Sequence, residues 1–187
     1  VRIANTPQSY GWPSIVMHWL MAVTLIGMYF VGDYMVDLGY YDKLYHTLPT
    51  WHKAIGVVLG VSLVIRFAWN LAQPKPKPAD AKTGALAHLA AIAAHFMLYA
   101  LVAVLIVSGY LISTAKGAGI EVFGVFEMPA LLPDSAERGE TAGWIHELIG
   151  DIFIILVGLH AAAALVHHFV FKDSTITYMI KPKGQKR

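Results

Sequence analysis

Apolar residues in this chain do not alternate with polar ones, nor do they mark one face of a helix; they run together. Residues 3–32, 84–115 and 152–171 contain no Asp, Glu, Lys or Arg, and residues 54–72 contain only Arg66. Each run is near or above the roughly 20 residues that a membrane-spanning helix needs. Period-two patterning is absent and proline is rare inside the runs, which predicts helices and argues against a barrel. The predicted spans are residues 13–36, 51–71, 86–114 and 144–171, giving an all-α integral membrane four-helix bundle that makes one domain of residues 1–187. Residues 37–50 and 115–143 are the only connections able to form a small cap. The run Gln73-Pro74-Lys75-Pro76-Lys77-Pro78 reads as a stiff, polyproline-like connection whose lysines can reach lipid phosphates. The first span is too long for a typical signal-peptide core, and no convincing small-residue cleavage site follows it. There is no internal repeat.

Composition agrees with a lipid environment: 57% of residues are hydrophobic and 14% are charged, too apolar for an ordinary soluble domain. The formal net charge of +2 conceals a strong asymmetry. The N-terminus, the second connection and the C-terminus, with Arg66, carry ten basic and two acidic residues, a net +8. The opposite side carries Lys43, Lys53, Lys116 and Arg138 against ten carboxylates, a net −6. By the positive-inside rule both termini are expected in the cytoplasm. Without cysteine, the chain can hold no disulfide, thiolate metal site, cysteine-ligated iron–sulfur cluster or C-x-x-C-H haem attachment.

Against this background four histidines stand out. Histidine is costly in a bilayer and usually marks a functional site there. His18 lies near the cytoplasmic start of the first span, and His52 near the outer start of the second. In the fourth span His146 lies at the outer end and His160 fourteen residues later, a rise of roughly 21 Å on nearly one helical face. Depth therefore pairs His52 with His146 outside and His18 with His160 inside. Two imidazoles from two helices facing one interior commonly hold a metal or a haem iron. Small residues that would let a flat macrocycle approach backbone follow the ligands: Gly56 and Gly60, Gly150, Gly158 and alanines 161–164. They serve plain helix packing equally well.

Five histidines remain. His46 falls in the outer connection. His88 and His95 share one face of the third span, placed to line a cavity or bond a propionate; a plain interfacial position accounts for them at least as well. His167, with His168 beside it, lies seven residues beyond His160 and suits a site where a quinone is reduced and takes protons. Arg66 and Lys82 are cytoplasmic-side candidates for pairing with haem propionates; snorkelling to the interface is the simpler account of both.

These residues resemble the bacterial cytochrome b561 family, part of a wider group that includes the cytochrome b subunits of nickel–iron hydrogenases. The resemblance covers nearly the whole chain. It rests on Ser14-Ile15-Val16-Met17-His18-Trp19-Leu20, on Thr83-Gly84 with Leu86-Ala87-His88-Leu89, and above all on the last span. There Gly143-Trp144-Ile145-His146-Glu147, Gly158-Leu159-His160-Ala161-Ala162-Ala163-Ala164, His167-His168 and Lys172-Asp173 resemble stand-alone members. The resemblance implies two b haems, one held by His18 and His160 and one by His52 and His146. It also implies ubiquinone as acceptor, a multi-pass place in the bacterial inner membrane, and an oxidoreductase activity passing electrons from a periplasmic donor to quinone. One branch oxidises superoxide. Superoxide is an anion, however, and an outer side of net −6 opposes its collection; a cationic or neutral donor is easier to accommodate.

Two other readings are open at this stage. The chain could be the haem-bearing membrane anchor of a hydrogenase or another dehydrogenase, although its outer connections are short. A divalent-metal transporter would use His146, Glu147 and Asp151, but the middles of the first three spans hold no carboxylate and four helices leave little room for alternating access. Partners are expected to be lipid, quinone and the electron donor, with no nucleic acid.

Overall fold

The computed structural model describes residues 2–77 and 84–182. Lys82, Pro78, Thr83 and the C-terminal cations Lys183, Lys186 and Arg187 lie outside the described residues, as does the suggested propionate contact of Lys82. Four long helices dominate: α1 (Trp12–Val36), α2 (Thr47–Ala72), α3 (Ala85–Ser113) and α4 (Ala136–Phe169). A short antiparallel hairpin, β1 (Ile120–Val122) with β2 (Phe126–Met128), lies between α3 and α4, and a single turn, α5 (Thr175–Tyr178), follows α4.

The four helices have 25, 26, 29 and 34 residues and windows of mean hydropathy from 1.8 to 2.4. Even the shortest is longer than the roughly 30 Å of bilayer hydrocarbon. Their large apolar side chains point outward: Val23, Phe30, Val64, Phe96, Ile155 and Leu159 are all more than half exposed. Such surface is untenable in water and ordinary against lipid, where each helix satisfies its own backbone groups. The protein is thus mostly helical, with four long apolar helices compatible with a transmembrane bundle.

α2 and α4 begin before the apolar runs do, at Thr47 and Ala136. The early turns of α4 carry Glu137, Arg138 and Glu140, so a search for charge-free runs stops short of them. Ser135 opens the helix, its Oγ accepting from the backbone N–H of Arg138 at 3.2 Å. Gly139 lies in that first turn because a Cβ there would sit 2.7 Å from the Cβ of Ala115.

The chain divides into two compact units. The first comprises residues 1–22, 62–98 and 155–187. Here the N-terminal segment is tied to two helices by Asn5, whose Oδ1 accepts from Gly11 N and from Ser14 Oγ, both at 2.8 Å. Its backbone N–H donates to Gln73 Oε1 at 3.0 Å, and Trp69 Nε1 donates to Ser14 Oγ at 2.9 Å. Gly11 must be glycine, since a Cβ would overlap the carbonyl of Ile3. After α4 the chain turns at Lys172 (φ 54), and Trp19 Nε1 donates to the Met179 carbonyl at 2.5 Å. That contact seats the tail on α1.

The second unit comprises residues 23–61 and 99–154. The hairpin turn uses Phe123 (φ 53) and Gly124 (φ 70), both left-handed, the conformation that suits a tight hairpin. Ile120 and Val122 are buried while Glu121 between them faces out. Tyr110 braces the segment after the hairpin, its hydroxyl donating to Pro129 O at 2.9 Å and accepting from Leu131 N at 2.8 Å.

Candidate cofactor-binding site

Each unit holds one histidine pair. In the second unit, His52 from α2 and His146 from α4 have ring centres 6.3 Å apart with planes at 72°. In the first, His18 from α1 and His160 from α4 have centres 6.4 Å apart with planes at 73°. Two imidazoles binding one metal ion from opposite sides, at a typical bond length of about 2.0 Å, have ring centres about 6.3 Å apart. A direct hydrogen bond between the rings would bring the centres to about 5 Å. In ring separation both pairs match two imidazoles on one ion, and none of the described residues forms a cluster of three or more His, Cys, Asp or Glu able to hold a bare metal ion.

Backbone glycines let the rings of the second unit sit where they do. A Cβ at Gly32 of α1 would stand 3.2 Å from Cε1 of His52, and one at Gly109 of α3 would stand 3.2 Å from Cε1 of His146. At Gly56 and Gly158 a Cβ would meet no atom of another helix within 4 Å among the described residues. Gly60 instead packs on Ile106, and Gly150 lies near the ring of Tyr29.

The partners of the imidazole Nδ1 atoms differ. Ser108 Oγ lies 2.9 Å from Nδ1 of His146 while donating to Val104 O at 2.7 Å. With its proton so used, the hydroxyl accepts from Nδ1–H, which leaves Nε2 of His146 with a lone pair free for a metal. Among the described residues, the buried Nδ1 of His52 has no hydrogen-bond partner. Arg66 Nη2 lies 3.1 Å from Nδ1 of His18. A guanidinium only donates, so in this arrangement Nδ1 accepts and the proton sits on Nε2, the tautomer opposite to that of His146. Beside them His95 donates from Nδ1 to Ala91 O at 2.6 Å, its ring centre 5.3 Å from that of His160.

At the end of α4, His167 Nδ1 meets Asp173 Oδ2 at 2.5 Å. The Asp173 side chain is only 5% exposed. Burial acts to raise its pKa but is outweighed by hydrogen bonds from the hydroxyl and backbone N–H of Thr175 and by His167, which hold the carboxyl below its ordinary range. Ser108, Gly32, Gly109 and Asp173 were not singled out by sequence; the nearest signal was the Lys172-Asp173 step in the last-span resemblance.

Long apolar helices that present paired histidines at a metal-bridging separation define the class of b-type membrane cytochromes. The chain matches the prokaryotic cytochrome b561 family over residues 9–182. It is 43% identical over 180 residues to Cytochrome b561 homolog 2 of Escherichia coli strain K12, covering 96% of this chain and 95% of that protein. It is 28% identical over 182 residues to the Probable superoxide oxidase CybB of Yersinia pestis, covering 94% and 98%. Against Cytochrome b561 homolog 1 of Escherichia coli strain K12 it is 26% identical over 170 residues, covering 89% and 93%. This chain belongs to the prokaryotic cytochrome b561 family, bacterial membrane electron-transfer proteins that carry haem b.

Proposed function

We propose that the chain is a di-haem oxidoreductase of the inner membrane that takes electrons from a donor on the outer side and delivers them to ubiquinone near the cytoplasmic side. The observation that carries this reading is the matched ring separation, 6.3 Å in one unit and 6.4 Å in the other. His52 and His146 would hold the outer haem, and His18 and His160 the inner one. When bound, the haems supply one-electron transfer; every proton must come from the protein.

The residues present fit those roles. Ser108 and the Leu105 carbonyl favour the metal-binding tautomer of His146. Binding iron through Nε2 puts the proton of His18 on Nδ1, which turns its contact with Arg66 into donor against donor. The guanidinium then favours a carboxylate, as a haem propionate would offer. Reduction of a quinone to quinol consumes two electrons and two protons. His167, held by Asp173 through Nδ1, keeps Nε2 for a quinone oxygen and can pass it a proton. Asp80 apart, every charged residue of the first unit other than Asp173 is basic, which agrees with both termini lying in the cytoplasm.

A superoxide donor draws support from the name of the Yersinia pestis relative, but the net −6 of the second unit argues against an anionic substrate.

The test is spectroscopic. Pyridine haemochrome analysis is expected to give two haems per chain. His52→Ala or His146→Ala should remove one haem, and His18→Ala or His160→Ala the other. Variants that retain both haems would overturn the assignment, and ubiquinone that fails to oxidise the reduced protein would overturn the acceptor.

A further inference from the structure

The second unit carries ten carboxylates and four basic side chains, and among the described residues none of the ten forms an ion pair with a lysine or arginine. Its hairpin concentrates this imbalance. Glu121 and Glu127 are direct cross-strand partners, and both are exposed. Like charges directly opposite destabilise a two-stranded pair, so the sheet itself gains nothing from them. Around these carboxylates lie exposed apolar groups: Val125 at 81%, with Phe123 and Phe126 about half exposed.

The hairpin is also joined to the histidine pair. The ring of Phe123, at the turn, packs on that of Trp51 with centres 5.4 Å apart, and Trp51 directly precedes His52. A macromolecule seated on the hairpin therefore rests one residue from a proposed haem ligand. Exposed, unpaired carboxylates with apolar groups beside them suit the docking of a cationic protein, with charge steering the encounter. A lipid surface suits it less well, because two carboxylates facing outward gain nothing from phosphate headgroups.

We infer that the β1–β2 hairpin docks a soluble, basic, one-electron carrier protein that donates to the haem of the His52–His146 pair. One electron leaves the reduced carrier, which is oxidised, and reduces that haem; no bond is made or broken and no proton moves. The inference rests on the di-haem reading for its redox consequence, whereas docking itself does not require haem.

The experiment uses the full chain in phosphatidylcholine nanodiscs and a basic cytochrome c as probe. The cysteine-free sequence allows one fluorophore at Val125→Cys. Cytochrome c should shield this label at about 10 mM salt and lose its hold at about 300 mM, where the screening length is several-fold shorter. Electron transfer across one docked complex is reversible, so it is read in the direction from protein to probe. With pre-reduced protein, stopped-flow oxidation by cytochrome c should slow at least tenfold across that salt range. In Glu121→Gln/Glu127→Gln it should slow several-fold, and lysine-acetylated cytochrome c should react slowly with both proteins. Oxidation by a small neutral quinone should be the same in the double variant as in the unaltered protein. Shielding of the label by the bilayer alone would overturn the inference in favour of a lipid surface. Rates insensitive to salt, to acetylation and to the double substitution would overturn it outright. Loss of haem absorbance with label shielding intact would overturn the di-haem reading and leave docking standing.

Discussion

Ser108 Oγ and His146 Nδ1 meet at 2.9 Å, and the hydroxyl's own proton is committed to the carbonyl of Val104. This bond, together with one from the ring to the Leu105 backbone carbonyl, sets which imidazole nitrogen of His146 is free. Partners of this kind tune ligand affinity by roughly 10–100-fold. Ser108→Ala should therefore keep the fold, weaken retention of the haem proposed for His52 and His146, and leave the other proposed haem in place. Haem stoichiometry after extended detergent washing, read beside circular dichroism, checks it.

Glycine at positions 32 and 109 is a steric requirement of the same pair. A Cβ at either would stand 3.2 Å from an imidazole Cε1, a distance the ring can relieve by moving a few tenths of an ångström. Alanine should be tolerated with a modest spectral shift. Valine adds two methyl groups that the ring cannot yield to while it remains a ligand, so Gly32→Val or Gly109→Val should lower haem content to about one per chain. Two haems retained in both valine variants would show that the rings do not need this space.

Arg66 places a permanent positive charge 3.1 Å from Nδ1 of His18. Whether it faces the ring or a propionate, it favours the reduced, less positive iron. At about 7 Å and an effective dielectric constant near 20, one charge is worth roughly 2 kcal/mol, or about 90 mV for a single electron. Arg66→Gln should lower the potential of the haem proposed for His18 and His160 by several tens of millivolts and leave the other proposed haem unchanged, with Arg66→Lys restoring most of the shift. An optical redox titration resolves the two.

The spans were legible because lipid demands long uninterrupted apolar runs, and that demand is written residue by residue. The paired histidines were legible for a related reason: polar groups in such runs are conspicuous, and helical rise gives their depth. The hairpin was not, since Ile120-Glu121-Val122 and Phe126-Glu127-Met128 alternate for only three residues each. Nor were Gly32 and Gly109, which look like any small residue in a membrane helix until the ring beside them is known. Gly60 and Gly150 suit macrocycle approach and helix packing equally well by sequence, and they lie near Ile106 and Tyr29. The His167–Asp173 contact depends on the reversal of the chain at Lys172 (φ 54), which no periodicity announces.

That reversal supplies a prediction about pH. Burial opposes ionisation of Asp173, yet Thr175 and His167 hold its carboxyl below the ordinary value of 3.8. A depressed carboxyl contributes stability in full above that ordinary value and loses it as pH falls through the lower, folded value. Docking of the tail, marked by Trp19 Nε1 on the Met179 carbonyl, should thus be unchanged from neutral pH down to about 4 and loosen below it. Hydrogen exchange across residues 172–182 reads this directly, faster exchange being expected only in the acid range. Asp173→Asn removes the ionisable group, so its tail should exchange faster at neutral pH and show no further acid step. If His167 delivers protons to quinone, the same variant should slow quinone reduction several-fold while both haem potentials stay put. An unaltered quinone rate in a variant whose tail has loosened would confine Asp173 to a structural role.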